Sequence, residues 1–184
     1  MEREETCKEA VSIRPAVEAD LDGLYRIAAD MEMVNEPEYF EKCFAEQKAG
    51  KRIIFVAGSC GRLIGYVQLN WTPLYPTFKR LNIPEVQDLN VVPDARGQGI
   101  GGRLVDACEK IVRKAGKPEI GISVGLCQRY GAAQRLYVKK AYVPDGAGVC
   151  YDDVPLRAGE LWSTLWRRPT GADNLLTLKL VKVL

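Results

Sequence analysis

The chain has 184 residues, of which 47% are hydrophobic and 27% charged, and its formal net charge is +2 at pH 7. This length suits one domain with a sizeable core, and the charge gives no reason to expect a nucleic acid or a membrane surface as a partner. The sequence contains no histidine, which excludes His-containing zinc sites, Ser-His-Asp triads and Cys-His nucleophile pairs.

The chain begins with a polar segment, followed by a predicted strand and two predicted helices. Residues 1–10 contain no apolar stretch of the kind found in signal peptides, so we expect a flexible start and a cytoplasmic protein. Residues 11–15 alternate between apolar and polar types and end at a proline, which predicts a strand. Apolar residues spaced by threes and fours then predict two helices, the second ending at Gly50.

A β-hairpin and a proline-rich stretch come next. Residues 52–57 and 63–69 predict two strands joined by a turn at Ser59-Cys60-Gly61. Residues 71–84 contain three prolines and several aromatic side chains. They predict an irregular loop, and we favour a packed surface loop over a substrate lid.

Residues 85–92 form the predicted central strand, which leads through a glycine-rich turn into a long amphipathic helix from Gly99 to Gly116. A second helix is predicted after it, together with several strands, in the last of which leucines alternate with lysines. The helix is expected over 132–140 and the strands over 119–124, 142–143, 149–151, 161–166 and 175–184. This order predicts a single mixed α/β domain over 1–184.

Six cysteines are scattered along the chain, at positions 7, 43, 60, 108, 127 and 150, and no two have CxxC spacing. In a chain of this size without an export signal, we expect reduced thiols.

The stretch from Val91 to Gly102 carries four glycines in six positions between the central strand and the long helix. Glycines let a backbone approach a ligand, and the unpaired N–H groups at a helix N-terminus attract phosphate. The spacing satisfies the dinucleotide pattern GxGxxG, but the motif follows several strands instead of opening a first βαβ unit. A Rossmann oxidoreductase is therefore a minor alternative, and the P-loop pattern is absent.

A different signature fits this stretch better. Arg96-x-x-Gly99-x-Gly101, after a strand and Pro93, resembles the acetyl-CoA signature of the GNAT superfamily of N-acetyltransferases. A second segment, Ala133-x-x-Leu136-Tyr137-x-Lys139-x-Ala141-Tyr142, is similar to the family's Ala-x-x-Leu-Tyr-x-Lys-x-Gly-Phe segment. The resemblance covers nearly the whole chain and implies a GNAT-like α/β fold with a mixed, mostly antiparallel central sheet flanked by helices.

Two positions depart from the family pattern. Tyr130 stands seven residues before Tyr137, where the family often has asparagine, and Ala141 stands where the family has glycine. We expect the first change to alter one cofactor contact and the second to affect only a turn.

The resemblance implies acetyl-CoA as co-substrate and no metal. The pyrophosphate would bind backbone amides of the glycine-rich turn, and the pantetheine arm would pair with the main chain of the central strand. The residues implied are Leu89, Asn90, Val91, Arg96, Gly97, Gln98, Gly99, Ile100, Gly101 and Gly102. Arg96 would either add a charge to the phosphate site or be a solvated turn residue.

In the family the acceptor amine attacks the thioester directly, so the enzyme must take a proton from the ammonium and protonate the departing thiolate. Tyr137 matches the family's general-acid tyrosine, and its alternative role is that of a core tyrosine. Glu85 is the favoured candidate for the base and Asp88 the second, and either could instead be a solvent-facing or ion-paired carboxylate. Strand alternation places them on opposite faces, so at most one should face the acceptor. A water chain is the third option.

The expected acceptor is a primary amine of a small molecule or a peptide. Acidic loop residues would suit a cationic amine, although such residues are usually just solvated. Two methionines and a tyrosine would line its pocket, although core packing is the commoner role for such side chains. These residues are Glu36, Glu38, Asp152, Asp153, Met31, Met33 and Tyr39. The resemblance also implies a homodimer, with the C-terminal strand pairing across a partner. The competing hypothesis from another class is a non-catalytic acyl-CoA-binding module.

Overall fold

The computed structural model describes residues 10–33, 37–157 and 176–184. The predictions for the N-terminal start, for Glu36 and for the strand at 161–166 therefore lie outside the described residues, apart from Ala10. By its internal contacts the chain divides into two compact units, Met1–Asn70 with Gln87–Ile111 and Trp71–Val86 with Val112–Leu184.

The first unit combines an antiparallel sheet with two helices. Strand β1 (Ser12–Pro15) pairs with β2 (Arg52–Ser59), which pairs in turn with β3 (Arg62–Asn70) through the predicted hairpin. Helices α1 (Leu21–Asp30) and α2 (Tyr39–Lys48) lie between β1 and β2 in the sequence. The predicted strand and helices of this region are all present, with ends that differ by a few residues.

Aromatic side chains fill the core of the first unit. Phe40 makes edge-to-face contacts with three tyrosines, at centroid distances of 5.0 Å to Tyr25, 5.1 Å to Tyr39 and 5.5 Å to Tyr66. Phe40 and Tyr66 are completely buried. Such contacts stabilise a core beyond their buried area, and here they hold the start of α2 against β3.

The second unit is built on four antiparallel strands. They are β5 (Glu119–Gly125), β6 (Val143–Tyr151), β7 (Val154–Pro155) and β8 (Leu176–Val183), in the spatial order β5-β8-β6-β7. Strand β8 has both edges occupied by its own chain, since it pairs with β5 on one side and β6 on the other. The prediction that this strand pairs across a partner was therefore wrong, because a strand inside a sheet has no unpaired edge to offer.

Strand β4 (Glu85–Val91) and helix α4 (Ile100–Lys114) each contain residues of both units. In the second unit β4 pairs with β5 in parallel through Glu85 and Val86. The full strand order is β1-β2-β3-β4-β5-β8-β6-β7. The prediction of a mixed α/β fold with a mostly antiparallel sheet is confirmed.

The stretch predicted as an irregular loop contains a short helix, α3 (Pro76–Leu81). A proline suits the first turn of a helix because its missing N–H would have no intrahelical partner there. Tyr75 and Phe78 are completely buried, with ring centroids 4.8 Å apart. Tyr75 and Phe78 therefore form core, and the loop prediction was wrong at its centre.

Cys60, in the hairpin turn, is disulfide-bonded, whereas Cys43, Cys108, Cys127 and Cys150 are free thiols. The prediction of reduced thiols was therefore wrong for Cys60, because spacing along the sequence does not reveal which thiols approach each other in space. Among the described residues, no helix is long and apolar enough to cross a membrane.

Helix α5 (Gly131–Lys139) ends in a left-handed cap that fixes Tyr137. The Tyr142 N–H donates to the Tyr137 carbonyl at 3.0 Å, and the Ala141 N–H donates to the Val138 carbonyl at 3.0 Å. Ala141 has a φ of 63°. These two bonds define a Schellman motif, in which glycine is the preferred residue at the left-handed position.

We predict that Ala141→Gly stabilises the protein by about 1 kcal/mol, because glycine adopts a positive φ without the steric cost that a Cβ brings. Chemical denaturation measures the change in the free energy of unfolding. The control is Ala132→Gly inside the same helix, which should destabilise the protein by up to about 1 kcal/mol. A loss of stability in Ala141→Gly would contradict the cap assignment.

Candidate functional site

In the first unit, the turn between β4 and α4 presents backbone amides at a helix N-terminus. Residues Pro93–Ala95 form a short 3-10 turn, and Gly97 and Gly99 follow with φ values of 76° and 77°. The Arg103 N–H donates to the Gly99 carbonyl at 3.1 Å. The three amides between Gly99 and Arg103 therefore precede the first helical hydrogen bond and point out of the helix end.

The glycines of this turn are required by backbone conformation and not by packing. A Cβ added to Gly97 or Gly99 would meet no atom within 4 Å, and both residues are exposed, as is Gln98. The positive φ at each explains the residue type. The space above the turn can admit an anionic ligand.

Arg96 folds back against the end of β4. Its Nε donates to the Val91 carbonyl at 3.0 Å, and its Nη2 lies 3.0 Å from the Met31 sulfur. Asp94, on the same turn, forms an ion pair with Arg62 of β3. Arg96 and Asp94 therefore tie the turn to its surroundings, a role that the sequence did not predict.

Asp88 interrupts the regular conformation of β4. Its φ is 50°, and its backbone carbonyl accepts a hydrogen bond of 3.3 Å from Nδ2 of the Asn90 side chain. A left-handed residue inside a strand breaks the period-two alternation of side chains. The period-two alternation of β4 is therefore interrupted at Asp88.

The carboxylate of Asp88 is held by side chains from two other elements of the first unit. Its Oδ2 accepts a short hydrogen bond from the Tyr39 hydroxyl of α2 and one of 2.9 Å from Nε2 of Gln68 on β3. Gln68 is completely buried. Its Oε1 accepts a hydrogen bond of 2.6 Å from Arg52 Nη1 on β2. Asp88 thus lies at the end of a chain of polar contacts that begins at a cation.

The other titratable groups of this cluster stay protonated. Burial, followed by the charge of Asp88, raises the pKa of the Tyr39 hydroxyl and the pKa of the Tyr66 hydroxyl. Burial also raises the pKa of the Cys43 thiol. These three groups therefore add no negative charge beside Asp88 at neutral pH.

In the second unit, Glu85 belongs to a buried ion pair. Its Oε1 accepts hydrogen bonds of 2.8 Å from Lys179 Nζ and 2.6 Å from the Ser123 hydroxyl. Lys179 Nζ also bonds Asp153 and lies 5.0 Å from the centroid of the Tyr75 ring. Both members of the Glu85–Lys179 pair are almost inaccessible, at 0% and 2% side-chain exposure.

Burial lowers the pKa of Lys179, but the neighbouring carboxylates Glu85 and Asp153 and their hydrogen bonds outweigh it and raise the pKa overall. The lysine is therefore charged at neutral pH. Asp153, which the sequence offered as a partner for a cationic acceptor, is engaged with this lysine.

Tyr137, also in the second unit, is only 4% exposed on α5. Burial raises the pKa of its hydroxyl, and its ring lies 6.1 Å from that of Tyr142. The hydroxyl therefore keeps its proton at neutral pH, as a general acid must.

Tyr130 packs against the end of β5. A Cβ at Gly125 would lie 2.3 Å from the Tyr130 ring, and the Arg129 guanidinium lies 5.4 Å from the ring centroid. Gln134 Nε2 donates to the Gly125 carbonyl at 2.8 Å. The aromatic side chain therefore covers backbone at a position where the family often has a small polar residue.

The remaining acceptor candidates belong to both units. Met33 receives a long contact of 3.8 Å from the Tyr66 hydroxyl. Glu38 is exposed at the start of α2, and Asp152 is exposed in the turn after β6. In the described part of the chain, no group of three or more cysteine, aspartate or glutamate residues could hold a metal ion.

Sequence reasoning missed three polar residues that organise these clusters: Arg52, Gln68 and Ser123. A buried amide in an otherwise apolar strand is one signal that could have found Gln68, since residues 63–69 contain few other polar side chains. The sequence predicted Lys179 as one of the lysines of an alternating strand and did not indicate its ion pair.

Comparison with known proteins gives one family match over most of the chain. The sequence model described as "Acetyltransferase (GNAT) family" matches residues 21–142. An uncharacterized N-acetyltransferase, YhfO of Bacillus subtilis, is 32% identical over 130 residues, which cover 69% of this chain and 79% of the relative. An aminoalkylphosphonate N-acetyltransferase of Salmonella typhimurium is 28% identical over 145 residues, which cover 77% of this chain and 91% of the relative.

Solved structures share the fold. A ribosomal-protein-alanine N-acetyltransferase from Brucella melitensis has a TM-score of 0.68 at 21% identity, covering 94% of this chain and 99% of its own. An acetyltransferase from Salmonella typhimurium, solved with its cofactor acetyl-CoA, has a TM-score of 0.64 at 18% identity, covering 95% and 94%.

We predict that Lys179→Met destabilises the protein by about 3 kcal/mol, because it leaves the Glu85 carboxylate buried without its cation. Chemical denaturation at pH 7 measures the loss. The double variant Glu85→Gln/Lys179→Met removes both charges and should recover most of the stability. A single variant that loses less than about 1 kcal/mol, or a double variant no better than the single one, would contradict the buried ion pair.

Proposed function

The protein belongs to the acetyltransferase (GNAT) family, and from this premise we propose that it moves an acetyl group from acetyl-CoA to a primary amine by direct attack on the thioester. Family membership makes it an acetyl-CoA-dependent acetyltransferase. The observation that carries the proposal is the turn at Gly97 and Gly99, whose exposed amides open a 15-residue helix.

The pyrophosphate of acetyl-CoA binds this turn. Residues Arg96 to Gly102 supply backbone N–H donors, and the positive end of the α4 dipole adds to the attraction. Each charge-assisted hydrogen bond contributes roughly 1.5–3 kcal/mol. Arg96 is used mainly to hold the turn, since its guanidinium bonds the Val91 carbonyl.

The pantetheine arm pairs with the main chain of β4 at Leu89, Asn90 and Val91. The β4–β5 pairing covers Glu85 and Val86, and these three residues lie further along the strand, half-buried. A half-buried strand segment is suited to main-chain hydrogen bonds with an extended ligand.

Asp88 is the base that takes the proton from the acceptor ammonium, directly or through a water. It is half-buried, and its carboxylate is held by the donors Tyr39 and Gln68. Glu85 is a weaker candidate because it is completely buried and paired with Lys179. A base must reach the proton that it removes.

Tyr137 is the acid that protonates the thiolate of coenzyme A as it leaves. Its buried hydroxyl keeps its proton at neutral pH. Protonation by a positioned side chain contributes typically 10²–10⁴-fold, so the role is measurable.

The acceptor is a small-molecule or peptide amine that approaches Asp88 as a cation. The Salmonella relative is named for aminoalkylphosphonates, and the Brucella structure is named for the alanine of a ribosomal protein. These names motivate a panel of 2-aminoethylphosphonate and a peptide with an N-terminal alanine, to which spermidine is added as a polycationic amine.

The panel is assayed by thiol release from acetyl-CoA, with mass spectrometry of the amine. We expect one amine to gain about 42 Da, the mass of an acetyl group that replaces a hydrogen, at a rate within the typical enzyme turnover of about 1–10³ per second. Binding of coenzyme A with no acetyl transfer to any amine would favour the non-catalytic acyl-CoA-binding module instead.

The proposal also places the enzyme in the cytoplasm, where acetyl-CoA is available, and includes a homodimer. Since β8 has both edges occupied by its own chain, the dimer would form through another surface. Light scattering of the purified protein tests the assembly.

Gly99→Ala should weaken acetyl-CoA binding about 10-fold or more, because the added methyl group and the strained φ misdirect the amides that meet the pyrophosphate. Titration calorimetry measures the Kd. Gly116→Ala is a matched control, since Gly116 has a φ of 70° and a Cβ there would also meet nothing within 4 Å. If the two substitutions changed the Kd equally, the assignment of the phosphate site to this turn would be wrong.

Tyr137→Phe should lower kcat roughly 10-fold or more without changing the Kd of acetyl-CoA, because only the proton donor is lost. The control is Tyr142→Phe, which removes a hydroxyl from the buried ring packed beside Tyr137. If the two variants lose activity equally, or neither loses any, Tyr137 is not the acid.

A further inference from the structure

We infer that Arg52 and Gln68 are positioning residues for Asp88: the guanidinium fixes the orientation of the Gln68 amide, so that its NH₂ group faces the Asp88 carboxylate. The catalytic meaning of this relay rests on the proposed function, in which Asp88 is the base. The geometry of the relay does not rest on the proposed function, because its contacts lie within the first unit.

The two ends of the Gln68 amide meet opposite charges. Oε1 accepts a hydrogen bond of 2.6 Å from Arg52 Nη1, and Nε2 lies 2.9 Å from Asp88 Oδ2 and 3.0 Å from the Tyr39 hydroxyl oxygen. A flipped amide would turn its NH₂ toward the guanidinium and its oxygen toward the carboxylate. Both contacts would be repulsive, so one orientation is selected.

The guanidinium is itself fixed in place. Arg52 Nε donates to Glu46 Oε2 at 2.6 Å, and Nη1 also donates to Gln87 Oε1 at 3.2 Å. Its side chain is 12% exposed. Burial lowers the pKa of Arg52, but the hydrogen bond and charge of Glu46 raise it overall, so the cation is permanent. The planar fork of donors leaves Arg52 little freedom to release Gln68.

An interposed amide does what a direct ion pair would not. A guanidinium bound to the Asp88 carboxylate would occupy both oxygens and strongly weaken it as a proton acceptor. Gln68 passes on the orientation imposed by the cation through a neutral donor, which aims the Asp88 carboxylate. This explains why a completely buried amide stands at this position of β3.

The charged and titratable groups around Asp88 come from three elements. Tyr39, Cys43 and Glu46 lie on α2, Tyr66 lies on β3 and Arg52 lies on β2. Burial raises the pKa of Tyr39, Cys43 and Tyr66. These three groups therefore do not titrate between pH 3 and 7, where a carboxylate does.

The test is a carbon-13 NMR titration of the Asp88 carboxyl carbon in the ligand-free protein, assigned by its loss in Asp88→Asn. In Gln68→Met, the titration midpoint should rise by about one pH unit, because a donor to the charged form is lost. The matched control is Asn70→Leu, which removes a buried amide of the same strand that donates to Gln87. Its midpoint should match the wild type.

Arg52→Met separates the relay from simple charge attraction. In the wild-type background it should raise the Asp88 midpoint, and in the Gln68→Met background it should add no further rise. An equal rise in both backgrounds would show that Arg52 acts directly through space and would overturn the relay. An unchanged midpoint in Gln68→Met would overturn it as well.

A measurement on the unmodified protein guards against a variant that does not fold. The side-chain NH₂ resonances of Gln68 should titrate with the same midpoint as Asp88, and their failure to do so would overturn the inference.

The pH profile of thiol release with 2-aminoethylphosphonate and the peptide distinguishes this inference from the proposed function. If Gln68→Met moves the Asp88 midpoint and the acidic limb of kcat/KM together, both are supported. If the NMR midpoint moves and the acidic limb of kcat/KM does not, the relay is supported and Asp88 is not the base.

Discussion

The left-handed backbone of Asp88, with a φ of 50° inside β4, is the constraint on which the candidate site depends. A non-glycine residue in this region costs roughly 1–2 kcal/mol, and here Asn90, Tyr39 and Gln68 hold it through hydrogen bonds. The kink lies between the residues of β4 that pair with β5 and those that lead into the glycine-rich turn. One distorted residue thus separates the structural part of the strand from the part proposed to meet acetyl-CoA.

The two carboxylates of β4 lie in different environments, and for this reason one has a structural role and the other a proposed chemical role. Glu85 is inaccessible and faces the cation of Lys179, so its charge is committed to stability within the second unit. Asp88 is half-buried, and an amide and a hydroxyl donate hydrogen bonds to its carboxylate. A carboxylate held by neutral donors keeps its affinity for a proton better than one bound to a cation.

Local signals in the sequence were sufficient for the glycine-rich turn, since a positive φ at Gly97 and Gly99 is a property of a few residues. The sequence did not indicate which residues pair when they are far apart along the chain. Lys179 stands in an alternating strand and is nevertheless buried, because Glu85, 94 residues away in the sequence, supplies its counter-charge. The sequence did not indicate the conformation of Asp88 either, because no local pattern announces a left-handed backbone at a non-glycine residue.

The central claim, that Asp88 is the base of an acetyl transfer to an amine, is tested most directly by the kinetics of Asp88→Asn. This nearly isosteric change retains a side chain that can bond Tyr39 and Gln68 but cannot take a proton. With the amine identified from the panel, the account predicts a fall in kcat of about 100-fold or more with an unchanged Kd for acetyl-CoA. An unchanged kcat at every pH would contradict it.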